Sequence, residues 1–68
     1  MNEKTVTIQV LGGQPVVANN IRTVRDAFNR LELAGNYTVS VNGDPANMDD
    51  ILDEYSFVTF SPAVKGGV

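Results

Sequence analysis

Phe57-Val58-Thr59-Phe60-Ser61-Pro62-Ala63-Val64-Lys65-Gly66-Gly67-Val68 opens as a strand, meets a proline and closes on two glycines and a valine. Ser56 to Phe60 is rich in β-formers. Strand geometry places Val58 and Phe60 on one face and Phe57 and Thr59 on the other. Pro62 has no N–H and is expected to end regular pairing. Residues 1–61 are therefore read as one domain, and residues 62–68 as a flexible arm leaving its last strand.

The chain before this strand supplies its neighbours. Thr5-Val6-Thr7-Ile8-Gln9-Val10 alternates polar and apolar, with Val6, Ile8 and Val10 on one face and Leu11 as an extension. Gly12-Gly13 is a turn dipeptide. It lacks the spacing and following helix of a phosphate loop. Pro15 to Ala18 is a second short strand, and a leading proline suits a strand start or a sheet edge. Thr23 is an N-cap, and Asp26 three residues on completes a capping-box pair. Val24, Ala27, Phe28 and Leu31 then recur at the spacing of one helical face. With Gly35 as the stop signal, the helix is expected over residues 24–34, about 16 Å long. Tyr37-Thr38-Val39-Ser40-Val41 alternates again and runs into Asn42-Gly43, a strong hairpin signal. Asp44 to Asn47 nevertheless reads as a further turn with at most one or two paired residues. In the segment 47–52, Ile51 and Leu52 are expected to drop into the core.

The order is hairpin, helix, strand, irregular segment, strand. It predicts an α+β domain: a mixed four- or five-stranded sheet with one helix packed across one face. The first and last strands should be central and parallel neighbours, which is the β-grasp, or ubiquitin-like, arrangement.

Composition sets the outer limits. A chain of 68 residues allows one domain with a modest core. It contains no Cys and no His, which excludes disulfides, zinc fingers and thiolate-bound clusters. The formal net charge of −3 argues against nucleic acid as a partner. No signal-peptide core or membrane-length apolar run is present, so a cytoplasmic protein without membrane contact is expected. Asp44, Asp49, Asp50, Asp53 and Glu54 form an acidic patch whose spacing does not fit a calcium loop. A solvated face is the expected role, with steering of a basic partner as a secondary one. No metal site is expected.

Three features carry a family resemblance: the Val41-Asn42-Gly43 turn, the acidic turn Leu52-Asp53-Glu54, and the ending Val58 to Gly67. With the order of elements, they resemble the small ubiquitin-like sulfur carriers. That family includes the small subunit of molybdopterin synthase and the thiazole-biosynthesis carrier. The likeness covers nearly the whole chain in pattern and is specific in the last ten residues or so. Two departures stand out. Family members end on the second glycine, whereas Val68 follows Gly67 here. Asp53-Glu54-Tyr55 also replaces the family's usual Asp-Gly-Asp type of turn.

The resemblance implies a carrier or modifier and not an enzyme. An activating enzyme of the ubiquitin-activating type would use ATP to adenylate the C-terminal glycine. Sulfur transfer or conjugation to a lysine would follow, and the resemblance leaves both open. The chain would bind no cofactor of its own. Gly66 and Gly67 would be the carrier positions, reached after a protease removes Val68. Phe60, Pro62, Val64 and Lys65 would meet the partner. Physically, glycine lets the backbone approach a nucleotide closely, and Pro62 limits the entropy lost when the arm binds. A chain without His or Cys has few groups for acid–base or nucleophilic work, which fits a role as electrophile and docking face. The alternative is a β-grasp protein-binding or structural module whose glycine tail is incidental.

Overall fold

The computed structural model describes residues 4–63. Its elements are β1 (Val6–Val10), β2 (Val16–Ala18), α1 (Val24–Arg30), β3 (Tyr37–Val41), β4 (Asp44–Ala46) and β5 (Phe57–Pro62). The strands form one five-stranded sheet in the order β2-β1-β5-β3-β4. β1 and β5 are parallel; the pairs β1–β2, β3–β4 and β3–β5 are antiparallel. The domain is a small α+β fold of the β-grasp type, with the first and last strands adjacent and interior, as the order of elements required.

The period-two pattern explains the two faces. Val6 and Ile8 of β1, Ala18 of β2, Val39 of β3, and Val58 and Phe60 of β5 are buried. They form one cluster with Val24 and Ala27 of α1, so the helix covers this face. Phe60 lies at the centre. Its ring sits 5.7 Å from that of Phe28 and 6.2 Å from that of Tyr37, and Phe28 and Tyr37 are 5.8 Å apart. All three contacts are edge-on, the arrangement ring quadrupoles favour.

The helix begins where its cap chemistry dictates. The Asp26 N–H donates to Thr23 Oγ1 (3.3 Å), and the Thr23 N–H donates to Asp26 Oδ2 (3.2 Å). The helix ends earlier than expected, at Arg30 in place of residue 34. Leu33 supplies the reason. In a continuous helix it would lie about 180° from the face carrying Val24, Ala27, Phe28 and Leu31. Instead the Glu32 N–H donates to the Asn29 carbonyl (3.0 Å) and the Leu33 N–H to the Phe28 carbonyl (3.2 Å). These are the two bonds of a Schellman motif, and they return Leu33 to the core, where it is partly buried. The left-handed position of the motif is held by Glu32, at φ 56°, and not by Gly35. A non-glycine residue there costs about 1–2 kcal/mol. Glu32→Gly is accordingly expected to stabilise the domain by about 1 kcal/mol after allowing for glycine's own entropy, read as a higher midpoint in urea with an unchanged slope.

Three other expectations change. Leu11 and Pro15 belong to the connection; β1 ends at Val10 and β2 starts at Val16. Asp44–Ala46 pairs at once with β3, in the register Val41↔Asp44, Ser40↔Pro45 and Val39↔Ala46. Asn42 and Gly43 both have positive φ, 53° and 91°, as a two-residue hairpin of type I′ needs. Pro45 is compatible with this pairing. The Asn42 N–H donates to Phe57 O and the Ala63 N–H to Asn36 O, so even residues of β3 bond β5 and odd residues bond β4. Pro45, opposite Ser40, therefore directs its nitrogen away from β3 at the sheet edge, the position where proline is tolerated. Finally, Leu52 is buried as expected, but Ile51 is 74% exposed. Ile51 forms an isolated antiparallel bridge with Thr23 and turns outward.

Candidate functional site

β5 leads toward the diglycine in the sequence, and its pairing runs further than Pro62's chemistry suggested. The register with β3 continues through Thr38↔Ser61 to Tyr37↔Pro62. Thr38 Oγ1 donates to the Ser61 carbonyl (3.3 Å), and the Ala63 N–H donates to the Asn36 carbonyl (3.0 Å). In an antiparallel pair every second residue directs its amide away from the neighbour. Pro62 sits between the bonded positions Ser61 and Ala63, so its missing N–H breaks no bond to β3. The expected boundary between residues 61 and 62 thus moves: Pro62 is part of the sheet.

Of the expected docking residues, Phe60 has 0% exposure. Its ring belongs to the aromatic cluster, so it shapes the scaffold and offers no surface to a partner. Pro62 is exposed. Val64, Lys65, Gly66, Gly67 and Val68 lie outside the described residues.

Two members of the acidic patch are engaged in local bonds. Asp49 Oδ1 accepts from Arg25 Nη2 at 3.1 Å, an ion pair with both side chains largely in water. Asp50 Oδ2 accepts from the Asn47 N–H (3.0 Å) and closes the turn there. Among the described residues, no group of three or more carboxylates is close enough to hold a metal ion. No helix among the described residues is long and apolar enough to cross a membrane.

Two further surface features stand out, and only the second leaves no signal in the sequence. The first is the sheet face away from the helix. It presents Thr7, Gln9, Val17, Thr38, Ser40, Pro45, Phe57, Thr59 and Ser61, with no charged side chain among these alternating positions. Thr7 is paired with both Val17 and Phe57, so exposed Val17 and Phe57 flank it in one row. The second is an open cleft of about 400 Å³ lined by Lys4, Arg22, Thr23 and Ile51. Lys4, Arg22-Thr23 and Ile51 are far apart in sequence; the Thr23↔Ile51 bridge and the bonds of Lys4 to Ile21 and Leu52 bring them together. No periodicity or motif marks Ile51 as outward-facing; its apolar neighbour Leu52 takes the core position.

A search of protein families and of curated proteins finds no match to this chain.

Proposed function

We propose that this protein is a ubiquitin-like carrier or modifier that acts through Gly66-Gly67 after Val68 is removed. In this reading an activating enzyme uses ATP to join the Gly67 carboxylate to AMP, with release of pyrophosphate. The mixed anhydride is then opened by a sulfur or thiol nucleophile and AMP leaves. The chain supplies the acyl group and a rigid base; the partner supplies the acid–base groups. The observation that supports the reading is the course of β5. An interior strand, held by β1 on one side and β3 on the other, stays bonded as far as Ala63. The scaffold therefore fixes the chain up to three positions before Gly66.

The test is ATP–pyrophosphate exchange by a cognate activating enzyme on a chain ending at Gly67. Exchange is expected with that chain, and a loss of at least about 100-fold with its Gly67→Ala form, since a Cβ would obstruct close approach to the nucleotide. Intact mass of the native protein is expected to include a form ending at Gly67. If only full-length protein is found and the trimmed chain supports no exchange, the carrier reading fails.

The uncharged sheet face favours one other reading, a module that binds protein through Val17, Phe57 and the hydroxyl-bearing residues around them. Deleting residues 64–68 separates the two: partner capture that survives the deletion supports the module.

A further inference from the structure

We propose that the cleft between Lys4, Arg22 and Ile51 is a docking site for an acidic–apolar peptide segment of a partner protein. The segment would present one carboxylate beside a branched aliphatic side chain. The site lies at the opposite end of β5 from Pro62. β5 has six residues, so the cleft and the carrier end stand about 20 Å apart. Occupation of one leaves the other free.

Charge comes first. Lys4 Nζ donates to the Leu52 carbonyl (2.8 Å), which anchors the ammonium at the cleft; its other two donors have no partner among the described residues. The Arg22 backbone is fixed on both sides: its N–H donates to Asp26 Oδ2 (3.0 Å) and its carbonyl accepts from Leu52 N–H (2.8 Å). Neither cation forms an ion pair among the described residues; the pair found is Arg25–Asp49. Three of the acids nearby bond other groups. Asp26 accepts from the N–H groups of Arg22 and Thr23, Asp49 holds Arg25, and Asp50 caps Asn47. Asp53 follows Leu52 in the chain but is not within ion-pair distance of Lys4 or Arg22. Two cations without an ion pair among the described residues thus line one cleft.

The apolar wall and the backbone select a peptide over a simple anion. Ile51 is 74% exposed, a large aliphatic surface beside the two cations. Its bridge to Thr23 is flanked by Val24 N–H to Asp50 O (3.1 Å) and Leu52 N–H to Arg22 O (2.8 Å). That pattern makes Thr23↔Ile51 a non-bonded pair, with the Ile51 N–H and carbonyl directed away from Thr23. An extended peptide can bond both groups, place its aliphatic side chain against Ile51 and set its carboxylate between Lys4 and Arg22.

The experiment is a titration of the isotope-labelled protein followed by amide chemical shifts. The probes are acetyl-Glu-Leu-amide and its neutral counterpart acetyl-Gln-Leu-amide. With the acidic peptide, saturable shifts are expected at Lys4, Arg22, Thr23, Ile51 and Leu52. The neutral peptide should bind at least about 5-fold more weakly, and added salt should weaken the acidic one. Arg22→Gln and Ile51→Ser should each cost at least about 5-fold in affinity, while unperturbed spectra elsewhere report an intact fold. Arg22→Lys should retain most of the binding. Absence of saturation, shifts centred elsewhere, or equal binding of the two peptides overturns the proposal. None of these readouts depends on residues 64–68, so the outcome is independent of the adenylation test.

Discussion

Phe60→Ala is expected to leave the domain largely unfolded at room temperature. Phe60 has 0% exposure, and its ring meets both Phe28 and Tyr37 edge-on. Removing such a ring costs about 3–5 kcal/mol. A domain of this size has a total stability on the order of 3–10 kcal/mol, so one side chain can account for most of it. The strand makes the loss harder to absorb. β5 is bonded on both sides, so it cannot shift toward the hole without disturbing β1 and β3. The measurement is thermal unfolding followed by near-ultraviolet circular dichroism. A cooperative transition within a few degrees of the parent's would show that Phe60 is not the centre of the core.

The second large effect is a contrast between neighbours. Leu52→Ala is expected to cost about 2–5 kcal/mol, and Ile51→Ala less than about 0.5 kcal/mol. Leu52 is 1% exposed and lies in the core cluster. Its backbone is tied to Arg22 and, through Lys4 Nζ, to the start of β1. Ile51 has none of that burial. Urea unfolding of both variants checks the pair, and equal losses would contradict the placement of residue 51. Ile51→Ser, nearly silent in stability, is the change expected to weaken the acidic peptide at the cleft.

These two residues also mark where sequence patterns carry information and where they stop. β1, β3 and β5 were legible because each buries one face, and alternation such as Val6-Thr7-Ile8 is its direct imprint. The Thr23–Asp26 cap and the Asn42-Gly43 turn were legible because local backbone geometry demands those residue types. Ile51-Leu52 has no period to read: two adjacent aliphatics on an irregular segment leave open which one turns inward, and the bridge to Thr23 decides it. The helix end was misplaced because returning Leu33 to the core outweighed the cost of Glu32 at positive φ. β4 and the end of β5 are hard to read because each contains a proline, a residue that sheets accept only at particular positions. Pro45 and Pro62 both occupy positions where the strand needs no N–H toward its neighbour. Of the candidate site, Phe60 was legible as part of the last strand but its full burial was not, and neither was the inclusion of Pro62 in the sheet. The cleft was not legible because Lys4, Arg22 and Ile51 meet only through tertiary contacts.

The sheet order has a kinetic consequence. β5 is the last of the described strands in sequence, yet it separates the β2-β1 ribbon from the β3-β4 ribbon. Until residues 57–62 are available, the two ribbons have no common neighbour. Each alone is a two-stranded hairpin, which is marginal in water. Insertion of β5 between them closes loops that span most of the domain, so the entropy of those closures falls on one late event. The transition state should then contain β5 seated against β1 and β3, with substitutions at Val58 and Phe60 slowing folding and those in β2 and β4 mainly hastening unfolding. The strand that leads toward the diglycine is thus also the strand whose arrival commits the chain to its fold.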